Sequence, residues 1–344
     1  MPLLLAGIDE AGYGPMLGPL CVARAVVRVA DWAEGQPAPD LWDLLSSCVC
    51  KPGNDPRGRV AVNDSKKLKL PNDSATRHPL THLERGVLSF LACRAAAPAR
   101  PQTDAELFAA LGAKLESHPW YAEPPGGPAA CPASTTSQAI GVAANPLARG
   151  LAQTGVELVD LRVIAIGERA YNRLVRERGS KAGTTAAAFT MHLREILEHW
   201  ATSSAPGAIT SLRIVADRHG GRTDYADLLS SSLTGLQAIP GEVLIQTAEQ
   251  TPARSRYQVR IGVRAPFAVL FQPEADAGFL PVALASMAAK LVRETIMARF
   301  NDHFCRLHPG LRPTAGYTED ARRWLAELGD RLSAEDRAAL IRIA

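Results

Sequence analysis

Two adjacent carboxylates, Asp9 and Glu10, close an apolar run that begins at Leu3. Ionised carboxylates at the end of a buried strand are costly unless they are solvated, paired or holding a cation. Asp217 ends a second apolar run, residues 212–216, in the same way, and Asp276 stands in a glycine-containing loop ahead of a long apolar helical pattern. Magnesium takes hard oxygen donors of this kind, and two such ions can activate a water and stabilise the leaving oxygen of a phosphodiester. Four acids brought together would therefore be competent for phosphodiester hydrolysis, although each alone could equally cap a turn or a helix. Neighbouring side chains on an ideal strand point to opposite faces, so Asp9 and Glu10 share one ion only if the backbone bends at the strand end. Gly12 and Gly14 make such a bend easy.

Cations lie near these acids in sequence patterns that suit a phosphate backbone. Lys66, Lys67 and Lys69 flank a turn that contains Ser65, either as phosphate contacts or as a solvated loop. Lys290 follows Ser286 by one helical turn, so both can face the acidic centre from one side of a helix. Arg254, Arg256 and Arg260 flank Tyr257 on an expected hairpin, where alternation could project a positive face. His219 reads as an uninvolved loop histidine, with a proton relay as the sharper alternative. Residues 180–185, Ser-Lys-Ala-Gly-Thr-Thr, lack the glycine pattern of a nucleotide-triphosphate loop.

The whole chain supplies weaker constraints. Its 38 basic and 35 acidic side chains leave a net charge of only +3 over 344 residues, so a nucleic-acid surface must come from local clustering. The six cysteines are scattered, with one C-x-C at Cys48 and Cys50, and read as unlinked thiols in a reducing compartment. No apolar run is long enough for a membrane span, and the expected location is cytoplasmic.

The elements that must position the acids follow from periodicity. Residues 3–8 and 21–29 read as a strand hairpin, 156–166 and 209–216 as further strands, and 243–247 with 257–263 as a second hairpin. Helical spacing covers 78–93, 184–200, 225–233 and 282–300, followed by C-terminal helices at 318–328 and 333–343. In the 184–200 helix the apolar stripe runs through Ala188, His192, Leu193 and Ile196. A short helix is expected at 41–45, whereas 119–132, rich in Pro, Gly and Ala, reads as a surface excursion and a possible lobe boundary. Strands mixed with helices give an α/β layer architecture.

The run Gly7-Ile8-Asp9-Glu10-Ala11-Gly12-Tyr13-Gly14-Pro15, followed by Gly18-Pro19, resembles the opening motif of the ribonuclease HII family. Asn63-Asp64-Ser65-Lys66-Lys67-Leu68, Ala285-Ser286-Met287-Ala288-Ala289-Lys290 and Gly316-Tyr317 resemble its later motifs, in the same order. The resemblance implies an α/β, ribonuclease H-like mixed β-sheet flanked by helices, with a catalytic domain over 1–317, a C-terminal helical segment over 318–344, and large insertions near 32–59, 94–160 and 218–275. It implies that Asp9, Glu10, Asp217 and Asp276 are catalytic and bind Mg2+ or Mn2+. Substrate contacts then fall on Gly12, Tyr13, Gly14, Ser65, Lys66, Lys67, Ser286, Lys290 and Tyr317.

The implied substrate is an RNA–DNA hybrid or a ribonucleotide-containing duplex, cut on the 5′ side of a ribonucleotide to leave a 3′-hydroxyl, with no membrane and no obligate protein partner. Position 13 departs from the pattern, carrying tyrosine where the family usually has arginine. The alternatives are a related metal nuclease on DNA or branched nucleic acid, and a non-catalytic hybrid-binding protein.

Overall fold

The computed structural model describes residues 2–94, 100–202, 211–237 and 239–343. Its main sheet begins with β1 (Leu3–Ala11) and β2 (Leu20–Val29), paired antiparallel in unbroken register from Leu3 opposite Val29 to Ala11 opposite Cys21. Two very short strands, β3 (Val49–Cys50) and β4 (Val60–Ala61), form a separate parallel pair. β5 (Val156–Ile166), β6 (Ser211–Asp217), β7 (Val243–Gln250), β8 (Ser255–Ile261) and β9 (Phe267–Gln272) complete a seven-stranded sheet in the order β5-β2-β1-β6-β9-β8-β7. β1, β6 and β9 run parallel, whereas the outer pairings β5–β2, β9–β8 and β8–β7 are antiparallel. The protein is thus α/β, with a mixed sheet flanked by helices.

Strand alternation divides β1 between two cores. Leu3 and Leu5 join the core that contains helix Leu280–Leu307, while Leu4, Ala6 and Ile8 join the other, with Tyr171, Phe189, Leu193 and Leu229 from three helices. Because both faces are covered, the central strands read as continuous apolar runs. Helix Leu280–Leu307 is buried without a break from Leu280 to Arg293, which explains why it carries apolar and small residues around its girth. It lies very close to β1: a Cβ at Gly7 would sit 2.2 Å from the Pro281 backbone.

Residues 104–153 pack against this helix. Helices Asp104–Leu111 and Ser137–Gln153 contribute Leu107, Leu111, Ile140 and Leu147 to the same core. Arg299 locks the layers together, donating to both Asp104 carboxylate oxygens at 2.6 and 2.9 Å and to the Tyr121 carbonyl at 3.1 Å. Residues 119–132 are a surface excursion pinned at both ends: Trp120, Tyr121 and Cys131 are buried and Trp120 packs on Phe304, while residues 122–130 between them are exposed or half-buried. Pro119 opens a 3-10 turn, Pro119–Tyr121, whose aromatic residues anchor it inward.

The stretch 218–275 supplies β7, β8 and β9, three of the seven strands. β9 escaped the sequence reading because six apolar-alternating residues behind Pro266 are too short for periodicity to identify. The strand expected over 209–216 is described as Ser211–Asp217, and residues 209 and 210 lie outside the described residues. The helix expected over 184–200 runs Lys181–Thr202 and takes up the pseudo-phosphate-loop stretch as its first turn. The last helix is shorter than expected, Ala334–Leu340 against 333–343.

Candidate active site

Parallel pairing of β1 with β6 carries Ile8 opposite Ala216, so the next residues, Asp9 and Asp217, leave the carboxyl ends of neighbouring strands side by side. β9 extends this edge with Gln272 opposite Asp217. Asp276 follows four residues later, in the short helix Ala275–Gly278. Carboxyl ends of adjacent parallel strands are where open α/β sheets present their ligand sites.

Burial acts on all four acids, and repulsion from neighbouring carboxylates adds to it at Asp9, Glu10 and Asp276. Burial pushes the Asp9 carboxyl well above the usual range, the charges of Glu10, Asp217 and Asp276 add to it, and a hydrogen bond from Ser286 opposes it. Glu10 rises to about 7 through burial and Asp217, against the pull of Lys66. Asp276 rises to about 6 through burial, Asp64 and Asp217, opposed by Lys66 and Lys67. Burial also raises Asp217, although its Oδ1 accepts the Ala275 N–H at 3.2 Å. Half-buried carboxylates that repel one another form a donor set suited to a hard divalent cation.

β1 stays paired through Ala11, so there is no bend at Asp9-Glu10. Asp9 points to the side of helix Leu280–Leu307, where Ser286 bonds it, and by alternation Glu10 points to the other. Among the described residues, the one trio of His, Cys, Asp or Glu with ligand atoms within 4.8 Å of one another is Glu116, His118 and Glu168. No three of the four acids bring their ligand atoms within that distance of one another.

Around the acids, Asp64 caps the short helix Ser65–Leu68 by accepting the Lys66 N–H at 2.8 Å. Ser65 is buried with its hydroxyl oxygen 3.1 Å from that of Ser286, leaving Lys66 and Lys67 exposed. Sequence reasoning did not single out Asp64, although its charge acts on Asp276; its signal was the Asn63–Ser65 turn itself.

The structure draws Lys290 away from the acids. Its Nζ pairs with Glu294 at 2.8 Å and lies 5.8 Å from the centre of the Tyr317 ring. Burial would raise Glu294, but Lys290, Arg293 and Lys69 outweigh it and hold that carboxyl below its usual range. Tyr317 remains 46% exposed over Lys290 and Arg293, which leaves a ring face open to a ligand.

Residues 12–18 form a loop braced from beneath. Gly12, at φ 90°, has Arg293 Nε and the Pro19 carbonyl each 2.6 Å from where a Cβ would stand, whereas nothing lies within 4 Å of that position at Gly14. Arg342, near the chain's end and buried, donates to the carbonyls of Gly12 at 2.6 Å and Tyr13 at 3.1 Å and stacks 3.7 Å from the Tyr171 ring. No local sequence signal marks Arg342, because the carbonyls it binds lie more than three hundred residues away. Tyr13 is half-buried, and burial, Tyr171 and Glu10 raise its hydroxyl above the ordinary value.

His219 is a core residue packed on Phe189, Tyr225 and Phe271. Burial and Arg222 hold its imidazole down at about 3, so it stays neutral and is no proton relay. On β8, Arg256 and Arg260 are exposed while Tyr257 points inward, its hydroxyl accepting the Tyr225 N–H at 2.8 Å. A cleft of about 1100 Å³ is lined by Trp32, Arg213, Arg256 and Phe279 and includes none of the four acids.

No family model matches the chain, and no curated protein does. Among solved structures it is similar to the RNase HII of Archaeoglobus fulgidus in its complex with PCNA, at 14% identity over 99% of this chain and 94% of that one, with a TM-score of 0.42. It is also similar to the ribonuclease H2 of Pyrococcus horikoshii OT3, at 16% identity over 94% and 86% of the two chains, TM-score 0.36. A Bst-RNase HIII in complex with Mn2+ is similar at 16% identity over 99% of this chain and 66% of that one, TM-score 0.42. No helix of the described residues is long and apolar enough to cross a membrane, and all six cysteines are free.

Proposed function

We propose that the protein is a metal-dependent endoribonuclease that hydrolyses the RNA strand of an RNA–DNA hybrid on the 5′ side of a ribonucleotide, leaving a 3′-hydroxyl. The observation that carries this reading is the gathering of Asp9, Glu10, Asp217 and Asp276 at the carboxyl ends of adjacent parallel strands, each with its carboxyl raised by burial and several by one another. Order and spacing of the ribonuclease HII-like motifs around them support the choice of substrate.

Asp9, Asp217 and Asp276 would hold Mg2+ or Mn2+, with Glu10 adding its charge beside them. Such ions supply an activated water and charge stabilisation at the leaving oxygen. Ser286 positions Asp9 and, through Ser65, fixes the turn that presents Lys66 and Lys67 to a phosphate. At Gly14 the open space lets a backbone pass close, and the exposed Tyr317 ring offers a flat surface to a sugar. An open acidic shelf flanked by lysines suits a duplex better than a small molecule, which would need an enclosing pocket.

Purified protein with Mg2+ or Mn2+ should cut a hybrid, and a duplex with embedded ribonucleotides, faster than matched DNA or RNA duplexes. Replacement Asp9→Asn should abolish turnover while largely sparing duplex binding. Faster cutting of all-DNA duplex, or unchanged turnover in Asp9→Asn, would refute the reading.

A further inference from the structure

A second cluster of ligating side chains lies away from the four acids. Glu116 and His118 come from the stretch 94–160, and Glu168 opens helix Glu168–Arg178 behind β5. A tight turn, with the His118 N–H on the Glu116 carbonyl at 2.8 Å, brings the first two side chains together. His118 and Glu168 are buried, with side chains at 0% exposure, and Glu116 reaches solvent at 23%.

Hydrogen bonding leaves this cluster incomplete. Neither ring nitrogen of His118 makes a well-directed hydrogen bond, its Nε2 only standing 3.3 Å from Glu116 and, against burial, holding that carboxyl down, and Glu168 Oε2 has no hydrogen-bond partner. The opposite oxygen, Glu168 Oε1, is fully used, accepting the Tyr121 hydroxyl at 2.7 Å and the Gly18 N–H at 3.1 Å. His118 Nε2 faces two carboxylate oxygens at once, Glu116 Oε2 at 3.3 Å and Glu168 Oε2 at 4.0 Å. One N–H cannot point along both directions, whereas a cation between the three atoms satisfies them together. Ligands about 2.0–2.1 Å from a tetrahedral zinc stand roughly 3.3 Å apart, close to the shorter of these separations.

The surroundings hold the geometry. Trp120 stacks on the His118 ring at 4.3 Å and 13°, fixing its plane. A Cβ at Gly167 would lie 2.2 Å from Glu116 Oε2, so only glycine leaves room for that carboxylate.

We infer that Glu116, His118 and Glu168 form a binding site for a divalent transition cation, zinc in the first place, with a fourth position open beside Glu116. An imidazole with two carboxylates is a nitrogen and oxygen set that suits zinc and is poor for magnesium. The ion would clamp the 94–160 stretch to the core and, through Glu168 and Gly18, to the loop that carries Tyr13.

The test is equilibrium dialysis of the full chain against Zn2+ in excess Mg2+, which occupies hard-oxygen sites, with metal counted per chain. Wild-type protein should retain one zinc, while His118→Gln should lose it with an affinity drop of 100-fold or more. Glu116→Gln, at a partly exposed position, serves as the second variant if His118→Gln fails to fold. Co2+ in place of zinc should bind without a thiolate charge-transfer band. Zinc absent from wild type, zinc retained by the folded variants, or a thiolate band would overturn the assignment.

Discussion

Glu10→Gln should make the protein more stable while destroying the proposed activity, and the gain should depend on pH. Burial and Asp217 raise the Glu10 carboxyl from 4.5 to about 7. At about 1.4 kcal/mol per pH unit, holding it ionised in the folded protein costs about 3 kcal/mol. Because the folded value lies above the unfolded one, this residue's contribution is fully present below pH 4.5 and is lost as pH rises to about 7. Glutamine keeps the shape and removes the charge. Urea unfolding in EDTA should therefore show a gain of about 3 kcal/mol for the variant at pH 8 and almost none at pH 4.5. Saturating Mg2+ at pH 8 should narrow the gap, since an ion at 100 times its Kd stabilises the wild type by about 2.7 kcal/mol. A gain equal at both pH values, or absent at pH 8, would refute the claim that repulsion and burial strain this carboxylate.

Three other perturbations probe the scaffold. Arg342→Ala should cost about 3 kcal/mol, because charged hydrogen bonds to two buried carbonyls are lost; Arg342→Lys should not restore it, and denaturant midpoints would show both. Tyr13→Arg should tighten hybrid binding and steepen its salt dependence, read from binding isotherms over a salt series; an unchanged slope would place this position off the phosphate backbone. Gly7→Ala should prevent stable folding or cost several kcal/mol in urea unfolding, since the added Cβ meets helix backbone at 2.2 Å.

Local signals in the sequence determined the strand that ends in Asp9-Glu10, the long apolar helix, the Ser65–Lys67 turn and the alternating Arg256/Tyr257 pattern, because periodicity and turn chemistry are written in neighbouring residues. The motif resemblance named the four acids, but the pairing that sets Asp9 beside Asp217 is a property of sheet register across two hundred residues. Tertiary structure also decided that β1 runs unbent through Glu10, that Lys290 turns to Glu294, and that His219 is core. It decided that 218–275 supplies three strands of the sheet, and that the helices Asp104–Leu111 and Ser137–Gln153, the first tied in by Arg299 and Asp104, pack on the core. Each of these depends on partners distant in the chain, and the free energy of burying a charge or an aromatic ring is fixed only when those partners arrive.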